Sequence, residues 1–363
     1  MISFELSEEQ QIVRSTMAEF GKTVLAPQAR RLDTDSCIDD GVLAELWSTE
    51  IIQAQAEAVE EEAGSRSPVT NAIILEELGA ADATLALAMA STMGFVQAIA
   101  DQGSAEQRAR LLGGFAGETF QAAAVAMMEP RFGFDVSRFQ TKADKAGDDY
   151  IVRGVKAMVP LASRCSHFLV VAEADGAADA FIVPLDAAGV TVVEPKGALG
   201  LRALEMAEVA FDSVRVPSSM RLGEGNGADV QRIIDSARVG ISSILAGLSR
   251  GVMEYVIPYT KERIVHGAPL AQKQAIAFNI ADMHIDVEAM RWLNWRAAWA
   301  LEARQPATRT AQLAYTYAGQ QAMRIADDGL QAFGGHGFVK AHPLELWYRN
   351  ARSLSVLEGA AGV

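Results

Sequence analysis

Cysteine is almost missing: Cys37 and Cys165 are the only two in 363 residues. Two thiols cannot build the disulfide framework of a small secreted domain or a zinc knuckle, and a reducing, cytoplasmic setting is expected. Positive charge is short as well. Lys and Arg total 32 against 46 Asp and Glu, a net charge of −14. Such a surface repels nucleic acid and anionic membrane, so neither is expected as a partner. No apolar run reaches the length of a membrane span. The opening residues lack the basic and apolar regions of a signal peptide, and none is expected. A Walker loop, a dinucleotide glycine fingerprint after an early strand and a Ser-centred nucleophile elbow are all wanting. The five His residues have no metal-ligand spacing, and His336 and His342 are too far apart for a helix pair, so no metal is expected.

Half the residues are hydrophobic and 21% charged, the composition of a globular protein. The pattern divides the chain in three: 1–118, 119–225 and 226–363. The first part is rich in Ala, Glu, Leu and Gln at helical spacing. Ser7-Glu8-Glu9-Gln10 predicts a capping box, with Ile12, Met17, Phe20, Val24 and Leu25 on one helix face. The stretch from Leu85 to Ile99 is apolar nearly all round and predicts a central helix. The acidic run Glu57 to Glu62 reads as a solvated face. From about residue 120 short apolar strands alternate with Gly, Asp and Pro turns, and Gly147-Asp148-Asp149 predicts a hairpin. Three long helical segments follow, Val230 to Tyr259, Lys273 to Ala303 and Thr308 to Phe333, with Pro258 expected to kink or end the first. Their short links predict an antiparallel bundle.

Several residues could carry chemistry. Glu358 stands among apolar neighbours before Gly359, where burial would raise a carboxyl toward the range of a general base; a surface Glu is the plainer alternative. Gly334-Gly335 after a long helix could bring backbone N–H groups to a phosphate, or simply cap the helix. Arg263 could pair with a phosphate or lie on an exposed face. Glu129-Pro130-Arg131-Phe132-Gly133-Phe134-Asp135 reads as a ligand loop or a plain turn.

Taken in order, these signals identify the chain as resembling the acyl-CoA dehydrogenases over nearly its whole length. The resemblance is carried by Phe4-x-Leu6-Ser7-Glu8-Glu9-Gln10, Glu129-Pro130-x-x-Gly133-x-Asp135, Gly154-x-Lys156 and Gly200-x-Arg202. Further matches are Leu222-Gly223-Glu224-Gly225-x-Gly227, Glu262-Arg263-x-x-His266-Gly267, Gln331-x-Phe333-Gly334-Gly335-x-Gly337 and Glu358-Gly359. It implies an α+β multidomain fold: an N-terminal all-α domain, a central β-barrel-like domain and a C-terminal four-helix bundle. It also implies an oxidoreductase with FAD as cofactor and acyl-CoA as substrate, and an electron-transferring flavoprotein as partner. By position, Glu358 is the base and Arg238 an active-site Arg; Asp235, Arg238 and Gly359 line the substrate. Arg263, Gln274, Gly334 and Gly335 match the set offered to a neighbouring subunit's FAD; Gln331 belongs to the same glycine-turn motif, and His266 replaces the usual Phe near the adenine.

The flavin-ring positions depart from the family pattern. Met128 and Phe134 stand where hydroxyl-bearing residues are usual, and Met158-Val159-Pro160 replaces Trp-x-Thr. Proline has no N–H to offer, and each unmet polar group on a buried ligand costs about 1–3 kcal/mol. Two assemblies follow as expectations: a homo-oligomeric dehydrogenase, or a catalytically silent partner subunit of a heteromeric acyl-CoA dehydrogenase that completes a neighbour's FAD site.

Overall fold

The computed structural model describes residues 5–57, 67–193 and 197–363. Phe4 of the opening motif and most of the acidic Glu57 to Glu62 run lie outside them. The Ser7 capping box is formed, with Ser7 Oγ accepting from Gln10 N–H and the Gln10 side chain accepting from Ser7 N–H. It starts α1 (Glu8–Phe20), which passes through a π-helical turn (Gly21–Leu25) into α2 (Ala26–Asp35). The inward face differs from expectation at one position. Ile12 is 65% exposed, and Val13, four residues before Met17, packs inward instead.

Helices α3 (Asp40–Trp47), α4 (Ile51–Glu57), α5 (Pro68–Ala81), α6 (Ala83–Gln102) and α7 (Ala105–Leu111) complete the first layer. Helix α6 is the predicted central helix, capped by Asp82 accepting from Leu85 N–H. Among the described residues it alone is long and apolar enough to cross a membrane, but 94% of that stretch is buried inside the protein, the position of a core helix.

The middle layer is a seven-stranded sheet of β1 (Ala122–Ala126), β2 (Lys142–Ala146), β3 (Asp149–Pro160), β4 (Cys165–Ala174), β5 (Ala177–Pro184), β6 (Val190–Val193) and β7 (Met206–Pro217). Its order is β1-β4-β2-β3-β7-β6, with β5 also paired to β4. The predicted hairpin joins β2 to β3 through Gly147 and Asp148. Strand β3 carries two register shifts, and the second leaves Met158 at φ +55°. Beside the first shift Gly154 is required, because a Cβ there would lie 2.5 Å from Thr141 Oγ1.

The last layer holds α8 (Val230–Glu262), a hairpin of β8 (Ile264–Val265) and β9 (Ala268–Pro269), α9 (Gln274–Glu302), α10 (Thr308–Phe333) and α11 (Leu344–Leu354). Pro258 does not end α8, which continues to Glu262. Pro258 is exposed there, and Arg263 N–H still reaches Tyr259 O at 2.8 Å. Helix α8 meets α5 backbone to backbone, since a Cβ on Gly247 would fall 2.0 Å from Glu76 O. Buried Glu76 and Glu77 beside that contact pair with Arg291 at 2.7 Å and Arg250 at 2.5 Å. Helix α11 is locked to the earlier layers. Arg349 reaches Asp33 at 2.8 Å, and Asn350 Oδ1 accepts from Leu201 N–H at 2.8 Å. That fixes where the chain delivers residues 355–363.

Candidate active site

Glu358 sits where the end of β1, the first third of α8 and the side of α10 meet. Arg238 of α8 holds its carboxylate with two bonds, Nη2 to Oε1 at 3.0 Å and Nε to Oε2 at 3.2 Å. The expectation of an isolated carboxyl among apolar side chains is therefore corrected: the group is bidentately ion-paired. Both partners are largely shielded, at 8% and 17% side-chain exposure. Tyr315 of α10 donates its hydroxyl to Leu357 O at 2.8 Å and lays its ring beside the Arg238 guanidinium, 5.9 Å from the centroid. Burial, then the charge of Glu358, pushes the Tyr315 phenol up, so it stays a neutral donor.

The backbone here is shaped for close approach. Gly359 has φ +73°, and a Cβ there would meet Met127 Sδ at 2.5 Å. The Glu358 N–H points at Met128 Sδ, 3.3 Å away. A thioether is a weak acceptor, so this N–H is available to a stronger one.

Met127 and Met128 are held by a buried ion pair. Lys156 of β3 is wholly buried and donates to Met127 O at 3.0 Å and Glu129 Oε1 at 3.1 Å. Glu129 also accepts from the N–H groups of Gln140 and Thr141, each at 2.8 Å. Burial alone would raise the Glu129 carboxyl. The Lys156 charge and those backbone donors outweigh it and hold it down to about 2. Burial lowers Lys156 to about 8, opposed by Glu129. The ligand-loop motif is thus anchored from below. Phe134 packs on Phe139 at 6.1 Å, with the Arg131 guanidinium 5.4 Å from its centroid. Met158 and Pro160 lie at the end of β3, joined to Met128 through Ala157 N–H to Met128 O at 2.8 Å.

Asp235 lies one turn before Arg238, but both its oxygens are taken. Gln231 Nε2 and the Thr308 hydroxyl each donate to it at 2.8 Å, which ties α8 to the start of α10. Burial raises its carboxyl.

The remaining predicted residues gather at the far end of α8. Arg263 lies twenty-five residues beyond Arg238, about 38 Å along the helix axis. Arg263, His266, Gln274, Gln331, Gly334 and Gly335 are all exposed. Tyr259 joins their two segments by stacking on Phe333 at 3.7 Å and bonding His336 Nδ1 at 3.0 Å. His266 (φ +52°) and Gly267 (φ +76°) form the tight turn of the β8–β9 hairpin. Gly334 has φ +58°, and neither it nor Gly335 has any atom within 4 Å of where a Cβ would be. Sequence reasoning missed Tyr315 and Thr308, which carry no motif and are recruited only by helix packing. Lys156 was visible as a motif residue without its partner.

Comparison with known proteins decides the family. Profiles of the acyl-CoA dehydrogenase N-terminal, middle and C-terminal domains match residues 7–119, 124–214 and 223–363. The chain belongs to the acyl-CoA dehydrogenase family. It is 30% identical to the mitochondrial short/branched chain specific acyl-CoA dehydrogenase of Bos taurus, over 98% of this chain and 84% of that protein. It is 28% identical to a probable acyl-CoA dehydrogenase of Bacillus subtilis, covering 100% of this chain and 97% of that one. The butyryl-CoA dehydrogenase structure from Megasphaera elsdenii superposes with a TM-score of 0.89 at 27% identity, over 98% of this chain and 95% of that one. Family members are FAD-dependent oxidoreductases acting on acyl-CoA thioesters, and these relatives lend no support to a silent partner subunit.

The residues fit FAD in two different ways. The open Gly334-Gly335 turn and exposed Arg263 suit a diphosphate: glycine lets backbone N–H groups approach, and a guanidinium pairs with phosphate. Met128, Phe134, Met158 and Pro160 offer thioether and ring surface that suits the faces of a flavin.

Proposed function

We propose that this acyl-CoA dehydrogenase removes hydrogen across the Cα–Cβ bond of an acyl-CoA thioester, with Glu358 as the base. The single observation that carries this is the Glu358 carboxylate, gripped by Arg238 and set beside a backbone N–H that points at a thioether. The ion pair orients the carboxylate toward the substrate α-carbon. The Glu358 N–H is placed to exchange the Met128 sulfur for the thioester oxygen, where negative charge grows as the α-proton leaves. Tyr315 and Gly359 hold this turn in shape. Met128, Phe134, Met158 and Pro160 would hold the flavin of FAD, which would supply the hydride acceptor.

Arg263, His266, Gln274, Gln331, Gly334 and Gly335 serve the diphosphate and adenosine of a FAD held by a neighbouring copy. Their exposure and their distance from Glu358 support this. So does an apolar stripe on α9, where Phe278, Ile285, Trp292 and Trp299 are exposed at seven-residue intervals, the spacing of a helix seam that seeks a partner. An electron-transferring flavoprotein takes the electrons, in the cytoplasm. Glu358→Gln tests the reading. The variant should fold and hold flavin as the parent does, while turnover of acyl-CoA falls about 10²–10⁴-fold; equal turnover would remove Glu358 from the mechanism.

A further inference from the structure

Past Glu358 the chain does not turn outward. Ala360, Ala361, Gly362 and Val363 are buried between α6 and α8, and none carries a polar side chain. Glycines on both walls admit them. A Cβ on Gly94 of α6 would fall 2.8 Å from Ala361 O, and one on Gly362 would fall 2.4 Å from Gly94 Cα. On the α8 side a Cβ on Gly240 would touch Ala361 Cβ at 3.2 Å. The Ser236 hydroxyl latches the end of this strap. Val363 N–H donates to Ser236 Oγ at 3.0 Å, and that hydroxyl faces Val363 O at 3.2 Å. Beyond Ala361 the passage opens into a small cleft lined by Ala98, Asp101, Arg232, Ile233, Ser236 and Leu301.

A second observation points into the same passage. Gln97 of α6 is 2% exposed, and its Nε2 donates to Gln55. Its Oε1 has no partner and lies 3.1 Å from where a Gly362 Cβ would be. A buried acceptor left unpaired beside the strap is a cost the filled state carries.

Resting on the reading of Glu358 as base, we propose that residues 360–363 plug the acyl groove of this enzyme and hold it to short acyl chains. Beside Glu358, Arg238 and the Tyr315 phenol occupy one side, and Met127 on the anchored end of β1 occupies another. The passage of the strap between α6 and α8 leads from there toward the outer cleft. There the methyl and isopropyl groups of the strap take the place an aliphatic tail would fill. A long tail can enter only when the strap leaves Ser236.

The test uses the FAD-loaded enzyme and Gly362→Val, whose side chain cannot pass Gly94 and so expels the strap. Butyryl-CoA and octanoyl-CoA are titrated calorimetrically without electron acceptor, and hydrogen exchange is followed in a peptide spanning Val363. The parent should bind butyryl-CoA in preference to octanoyl-CoA, with the Val363 amide protected. Gly362→Val should expose that amide and raise octanoyl-CoA affinity by about tenfold or more, since each added buried methylene contributes to binding. Ser236→Ala should move both readouts the same way by less, and it decides the matter if Gly362→Val does not fold. An unchanged octanoyl-to-butyryl ratio in a folded variant with an exposed amide overturns the plug alone. Failure of every form to bind either ester overturns the plug together with the dehydrogenase reading.

Discussion

At the residue scale the site depends on two ion pairs of different kinds. Arg238–Glu358 is partly open to solvent and orients a reacting group; Lys156–Glu129 is sealed and orients the backbone beneath it. Breaking a sealed pair by removing one member leaves a buried charge uncompensated, at about 3–5 kcal/mol. Lys156→Ala should therefore lower the urea midpoint sharply. Glu129→Gln combined with Lys156→Met should recover much of the loss, because no charge is then stranded. If the double variant is no more stable than Lys156→Ala, the pair does not work in this way. The pair also has a pH signature. The unfolded chain titrates Glu near 4.3, whereas the folded protein holds Glu129 at about 2. The folded form is lowered, so this contribution to stability is full above the unfolded value and is lost as pH falls from about 4 toward 2. Glu129→Gln should flatten that part of a plot of unfolding free energy against pH.

At the scale of elements, glycine decides how closely helices meet. The Gly247 backbone of α8 lies against Glu76 O of α5, and Gly247→Ala forces the two apart. A loss of about 1–3 kcal/mol is expected, as for overpacking elsewhere, read from a denaturant melt. An unchanged midpoint would mean that the layers slide freely. Such contacts explain what the sequence could and could not reveal. Helix α6 was legible because an all-apolar helix has nowhere to go but the core, and the β2–β3 hairpin because its Gly-Asp turn is a local signal. Pro258 lies near the end of α8 without ending it, because proline penalties are local and an exposed last turn tolerates them. The grip of Arg238 on Glu358 spans 120 positions of chain, and no local pattern encodes it. Only the family resemblance had put both residues in one site. The strap at 360–363 was invisible for the same reason: a short run of Ala, Gly and Val has no periodicity, and its place is set by Gly94 and Gly240 on distant helices.

At the scale of the whole molecule, the proposed function divides one cofactor site between the two ends of α8, with the base at the Glu358 end and the diphosphate set at the exposed Arg263 end. If a neighbouring copy joins them, Arg263→Ala should reduce FAD bound per chain while leaving the thermal unfolding of the flavin-free protein unchanged. Charging the α9 seam with Trp299→Asp should lower both the sedimenting mass and the flavin content together. Flavin content that survives in a monomeric variant would place the whole FAD site within one chain.

The most direct measurement follows the visible flavin band of the purified, FAD-loaded protein on anaerobic mixing with butyryl-CoA, for the parent and for Glu358→Gln. A dehydrogenase with Glu358 as base bleaches the band in the parent and leaves it intact in the variant. Equal bleaching of both, or a flavin-bound parent whose band no acyl-CoA ester bleaches, would contradict that assignment.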